Sequence, residues 1–299
     1  KVKQHEAELP AAPWRKNILH LSGGTSAHEL RTFRSFTDDF SKKVENSYLA
    51  PVVRTRSKQT DAPVEAIDVV PDINAGVALV TMFGHSSLAV ADIDIGQASD
   101  PRMGYANAPR FPAFWVNGCA TGNIFFHLPT LSSDWILAPN KGAVLFVAHT
   151  HNGLSSSLKR YTDQFYEVLA DTTFTSGAFG TQMQEAIARY LARFPFLSER
   201  VTAEQMTLQG DPAIRLFPAV KPDYAWLENT LQLTDEDGQP LTSQSRAFRV
   251  RAVIVNYGRH RKGDTFTVEI RRKKYDQLLQ SWTFVFPTRP TLDTLDLVL

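Results

Sequence analysis

The stretch Phe111-Pro-Ala-Phe-Trp-Val-Asn-Gly-Cys119-Ala-Thr-Gly122 is an apolar run of strand length that ends in small residues, with a thiol at its lip. An uninterrupted run of this kind suits a strand buried on both faces, as in a parallel sheet. A second run, Val77-Ala-Leu-Val-Thr-Met-Phe-Gly84, ends the same way on His85, Ser86 and Ser87. Two such strands side by side bring an imidazole and a thiol to one sheet edge. That pairing lets a cysteine act as a nucleophile near neutral pH. Cys119 is the only cysteine in 299 residues, so an internal disulfide is excluded.

Outward from this pair, further strand patterns alternate with amphipathic helical ones. Asn17–Ser22 runs into Gly23-Gly24, a short strand is expected near Pro51-Val-Val53, and Ala143–Ala148 follows the Cys119 run. Over His28–Val44, the residues Leu30, Phe33, Phe36, Phe40 and Val44 recur at helical spacing. Leu158–Ala170 and Gly177–Phe194 repeat that pattern, and Ser176 is the expected cap of the second. Ala213–Phe217 is expected to be the last strand, with Gln209-Gly-Asp211-Pro212 as the tight turn into it. Strands buried on both faces and alternating with helices specify an α/β domain with a mostly parallel sheet flanked by helices.

The pattern changes at Pro218–Asp223. Phe248–Val255 and Thr265–Ile270 alternate as half-buried strands, with turns at Asn256-Tyr-Gly258 and near Lys262-Gly-Asp264. Two domains are therefore expected, residues 1–220 and a small all-β sandwich over 221–299. The second is shorter than the about 100 residues of an immunoglobulin-like domain, so a truncated module is expected. The chain opens without Met and stops on Leu295-Asp-Leu-Val-Leu299, which points to a piece of a longer protein.

Composition removes several classes of function. The 43% apolar content supports a sizeable core, and 32 basic against 31 acidic residues leave a net charge of +1. That balance gives no general attraction to nucleic acid or anionic membrane. No apolar run reaches the roughly 18–20 residues of a membrane-spanning helix, and the first residues carry no signal-peptide segment.

Gly84-His85-Ser86 and Gly118-Cys119-Ala120 both fall at the carboxyl ends of strands, where open parallel sheets bind ligands. Small neighbours let a substrate backbone approach and leave peptide N–H groups free for an oxyanion hole, here the amides of Ser86 and Cys119. His149 and His151 flank Thr150 with the spacing of an H-x-H metal pair, but no third ligand is evident, so they are assigned to the wall of the cleft. Ser22-Gly-Gly-Thr-Ser26 lacks the lysine of a phosphate loop. The loops Ala89–Arg110 and Thr150–Ser157 are expected to line the substrate pocket, with Asp92, Asp94 and Asp100 as solvated acids. Arg259-His-Arg-Lys262 and Arg271-Arg-Lys-Lys274 read as solvated protection of a sheet edge.

From about Trp14 to Pro218 the chain resembles the gingipain-like cysteine peptidases (the C25 family), which have a caspase-like fold. The likeness lies in Trp14-Arg-Lys-Asn-Ile-Leu, Gly84-His85-Ser86, Asn117-Gly-Cys119-Ala-Thr-Gly122 and Gly210-Asp-Pro-Ala-Ile-Arg215, in that order. The resemblance implies Cys119 as nucleophile, His85 as general base and an immunoglobulin-like module behind the peptidase domain. It also implies a protein or peptide substrate, a secreted or bacterial cell-surface location and association with outer-membrane secretion machinery. No cofactor is required; a structural calcium ion is a family feature without a traceable ligand set here.

Two positions depart from the family pattern. Ser86 replaces a glycine, which leaves the backbone donor in place. Ser22 stands at the end of the first strand, where some members carry a carboxylate, and Glu29 is the nearest acid. The expectation is a Cys–His dyad, with His85 oriented by a carbonyl, a hydroxyl or water. The expected activity is that of a cysteine endopeptidase working through a Cys119 thioacyl intermediate. The alternatives are a sortase-like transpeptidase of type IX secretion and a surface-binding protein with a vestigial catalytic pair.

Overall fold

The computed structural model describes residues 1–242, 245 and 247–299. The chain forms two compact units, Lys1–Val220 and Lys221–Leu299. The strands of the first unit are β1 (Asn17–Ser22), β2 (Val52–Ser57), β3 (Glu65–Ala66), β4 (Leu79–Phe83), β5 (Ile93–Asp94), β6 (Ala113–Asn117), β7 (Leu145–His149) and β8 (Met206–Gly210). Its helices are α1 (Val2–Ala7), α2 (Ala27–Val44), α3 (Val70–Ala75), α4 (Leu131–Leu137), α5 (Ser155–Ala170), α6 (Phe179–Arg193) and α7 (Leu197–Gln205).

Six strands make one sheet in the order β2-β1-β4-β6-β7-β8. The first five are parallel, and β8 runs antiparallel on β7 as an edge. β4, β6 and β7 are buried at every residue, which is why they read as unbroken apolar runs rather than alternating ones. Leu79 and Phe83 of β4, Trp115 of β6 and Val147 of β7 face one core with Phe40, Phe165 and Tyr190 of α2, α5 and α6. Val80, Met82, Phe114 and Phe146 face the other, with Ile73 of α3 and Trp135 of α4. Sheet and helices thus form three layers. Among the described residues no helix is long and apolar enough to cross a membrane.

The local signals account for most elements. Ser26 caps α2 by accepting the Glu29 N–H, and Phe33, Thr37, Phe40, Ser41 and Val44 are its buried face. The end of the domain differs from expectation. The last strand is Met206–Gly210, and Ala213–Phe217 is irregular. Asp211 folds back on the Ala213 N–H at 2.9 Å, a turn that holds the chain out of the ladder, while Ile214, Leu216 and Phe217 still enter the core. Gln209-Gly-Asp-Pro therefore leaves the last strand instead of leading into it. Ala178, not Ser176, occupies the cap position of α6, with no side-chain cap.

The second unit is wholly antiparallel in its strands: β9 (Tyr224–Trp226), β10 (Gln232–Thr234), β11 (Arg249–Asn256), β12 (Thr265–Lys274), β13 (Gln277–Pro287) and β14 (Leu292–Val298). β11 pairs with β9, β10 and β14, whereas β12 and β13 form a separate hairpin. Ile254 and Leu295 from the first sheet pack with Val268 from the hairpin. β12 runs on to Lys274, so Arg271-Arg-Lys-Lys274 lies within a strand and the hairpin turns at Tyr275-Asp276.

Candidate active site

The carboxyl edge of the sheet is built by three strand ends. Gly23 N–H donates to Phe83 O at 2.8 Å and Gly84 N–H to Asn117 O at 3.0 Å, carrying the ladder one residue past β1 and β4. Beyond it, His85 to Asp92 form a tight reverse loop, with Asp92 N–H on His85 O at 2.9 Å and Ser87 N–H on Val90 O at 2.8 Å. Ser86 and Ala91 sit opposite one another between those bonds, so the Ser86 N–H is turned away from the loop.

On β6, Asn117 is braced from two sides. Its Oδ1 accepts the Thr162 hydroxyl of α5 at 2.6 Å, Thr162 accepts the Trp115 indole N–H at 2.9 Å, and Asn117 Nδ2 donates to Met82 O at 3.2 Å. Cys119 follows two residues later. Ala120 then takes φ +59°, a left-handed conformation that costs a residue with a Cβ about 1 kcal/mol or more and that clusters at functional sites. The loop is held there by Ala120 N–H on His151 O and Gly122 N–H on His149 O, both at 3.1 Å. Ser86 Oγ donates to Cys119 O at 2.8 Å, tying the histidine loop to the cysteine loop. A side chain at Gly118 would collide with that Ser86 Oγ.

His85 and Cys119 therefore extend from neighbouring parallel strands at equivalent register, since Phe83 pairs with Asn117. Cys119 is partly buried, and its Sγ lies 3.5 Å from the Gly153 N. Neither the Ser86 N–H nor the Cys119 N–H has a hydrogen-bond partner among the described residues.

The expectation of an imidazole without an acid is corrected by Glu29. Its Oε1 lies 3.1 Å from His85 Nε2. Glu29 Oε2 accepts both the N–H and the hydroxyl of Thr25, each at 2.9 Å. The Thr25 N–H above all, with its hydroxyl and His85, holds the Glu29 carboxyl below its ordinary range against the opposing effect of burial. Ser22, at the strand end, is buried with an Oγ that has no partner among the described residues. The acid comes from the helix after the strand, not from the strand.

His149 is buried, its Nδ1 against His151 O at 2.7 Å, and burial holds its pKa down; His151 is exposed, and the two residues line one pocket with Asn152, Leu154 and Gln205. Asp94 is exposed and Asp100 caps the short turn Pro101–Met103. Asp92, expected as a solvated acid, is buried against Lys58.

The model of peptidase family C25 matches residues 1–217. A comparison with curated proteins returns no match. Among solved structures, the Arg-specific cysteine proteinase gingipain R (RgpB) aligns with a TM-score of 0.55 at 14% identity, over 94% of this chain and 60% of that one. The complex of Porphyromonas gingivalis RgpB pro- and mature domains gives the same TM-score and identity over 94% and 62%. A structure described only as a protease gives 0.57 at 10% identity, over 99% and 70%. The chain thus spans about three fifths of the gingipain chains it matches, and at this identity the structural likeness speaks for the caspase-like fold. The family match covers all but the last three residues of the unit that carries His85 and Cys119, and the chain belongs to peptidase family C25, the gingipain-like cysteine peptidases.

Proposed function

We propose that residues 1–220 act as a cysteine endopeptidase on protein or peptide substrates, with Cys119 as nucleophile, His85 as general base and Glu29 as the carboxylate that orients the imidazole. The observation that carries this reading is the position of His85 and Cys119, each two residues beyond the ends of the neighbouring parallel strands β4 and β6, in a chain of this family.

In the first half-reaction the Cys119 proton passes to His85 as Sγ bonds to the scissile carbonyl carbon. The oxygen takes up negative charge and accepts from the N–H groups of Ser86 and Cys119. The C–N bond then breaks, His85 protonates the leaving amine, and a thioester remains on Cys119. In the second half, His85 takes a proton from water as its oxygen attacks the thioester carbon; the C–S bond then breaks, His85 returns the proton to Sγ, and the carboxylic product leaves. Glu29 stays ionised throughout and stabilises the imidazolium.

A peptide library incubated with the full chain tests this, with products identified by mass spectrometry. Cleavage at defined bonds that is lost in Cys119→Ala is expected. An added amine that is joined to the acyl fragment in place of water would sink the hydrolase and favour transpeptidation; an intact library would sink both.

A further inference from the structure

The carboxyl edge holds a second carboxylate that the steps above do not use. Asp92 is 4% exposed. Its Oδ2 accepts the Gly24 N–H at 2.7 Å and its Oδ1 the His85 N–H at 3.2 Å. Lys58, also sealed from solvent, places Nζ 3.8 Å from Oδ2 and donates to Ala62 O at 2.6 Å. Three segments, those following β1, β2 and β4, therefore converge on one charged pair.

The glycines around it have a specific reason. A Cβ on Gly23 would sit 2.5 Å from both Asp92 oxygens, and one on Gly84 would collide with Oδ1. Only residues without a side chain let the carboxylate reach beneath both strand ends. Gly24 opens the turn through Thr25 and Ser26 into α2, which carries Glu29. One carboxylate thus fixes the backbone of His85 and the approach to Glu29 together. A buried ion pair does little for net stability, and fixing registry is its best-attested use.

We propose that Asp92, neutralised by Lys58, is the positioning residue that holds His85 within reach of Glu29; this rests on the reading of His85 and Cys119 as the reacting groups. Both Asp92 oxygens face N–H donors, so only the ionised form satisfies the site. An asparagine, or a protonated acid, sets a donor against a donor. Burial pushes the Asp92 carboxyl up, and the Gly24 N–H, Lys58, His85 and the Ile93 N–H oppose that. The other charges nearby are Glu65, which faces Lys58, and Glu29 beyond His85. Removing the Lys58 charge leaves burial less opposed. Asp92 then binds its proton at higher pH, and the site fails as pH falls through that value.

The test is the rate of Cys119 alkylation by iodoacetamide against pH in the full chain, with kcat and KM on a cleaved peptide alongside. Asp92→Asn and Gly23→Ala are expected to slow alkylation and kcat on the order of 10²-fold with KM little changed. Lys58→Met is expected to move the acid limb of the alkylation profile up by about one pH unit or more. Variants that lose only melting temperature and keep the wild-type profile would overturn the proposal. If the charge-breaking variants do not fold, Gly23→Ala, which buries no unpaired charge, decides by the same readout. A wild-type profile identical to that of a cysteine-containing model peptide would instead overturn the His85–Cys119 reading itself.

Discussion

Glu29 and His85 meet at 3.1 Å from different elements, the acid on the first turn of α2 and the imidazole beyond β4. Thr25 fixes one carboxylate oxygen with two donors and leaves the other to face the ring. In the proposed site the helix start takes the place of an acidic residue at the end of the first strand. The carboxylate also lies at the amino end of a helix, where negative charge is favoured.

Glu29→Gln keeps the shape and removes the charge. The rate of Cys119 acylation is expected to fall on the order of 10- to 10²-fold, less than the ~10⁴-fold loss in a serine triad, because a thiol needs less help. Since the Glu29 carboxyl is held below its ordinary value, the wild-type advantage is present across neutral pH. It is lost only as pH falls through that lowered value. Stopped-flow acylation of both proteins with an activated ester checks this.

Asn117→Ala breaks the chain from Trp115 through Thr162 to Met82 O. A buried hydroxyl then loses its acceptor, which costs about 1–3 kcal/mol. Urea unfolding followed by tryptophan fluorescence is expected to show a lower midpoint with an unchanged slope.

The segment after Cys119 exposes Ile124, Phe125, Phe126 and Leu128, with Phe125 at 75%. Apolar side chains in a row beside a reactive group favour an apolar peptide over a polar one. Phe125→Ser is expected to raise KM several-fold on peptides with bulky apolar residues, about 1 kcal/mol and so part of the gain from fully burying one large apolar side chain, and to leave iodoacetamide alkylation of Cys119 unchanged.

Two buried histidines make the first unit sensitive to acid. Burial pushes His20 down to about 3, where it contacts Tyr166 and Ser41, and burial with Arg15 pushes His5 down to about 4. Both bind protons in the unfolded chain near pH 6.5 and not in the folded one, so stability is full above that pH and falls below it. Each contributes a slope of about 1.4 kcal/mol per pH unit in that window. His20→Gln is expected to flatten the dependence of unfolding free energy on pH between about 6 and 4 by that amount.

β4 and β6 were legible because both faces of each strand are buried, so the sequence is apolar without interruption and stops at a glycine. β8 was not, because Met206-Thr-Leu-Gln-Gly is an antiparallel edge with three half-buried residues, while the more apolar Ala213–Phe217 packs as irregular chain. Glu29 was hidden because three residues after Ser26 it reads as an ordinary helix-start acid. Asp92 and Lys58 lie far apart in sequence in polar loops, and only the convergence of three strand ends turns them into a buried pair.

The proposed chemistry requires Cys119 to be a nucleophile activated by His85. An electrophilic peptidyl ketone library applied to the wild type, His85→Ala and the urea-unfolded chain, with the adduct mapped by mass spectrometry, tests it most directly. A single adduct on Cys119 of the folded wild type is expected, for selected peptide sequences only, with at least about 10²-fold slower labelling in His85→Ala. Equal labelling of wild type and His85→Ala, or labelling that becomes faster only on unfolding, would contradict it.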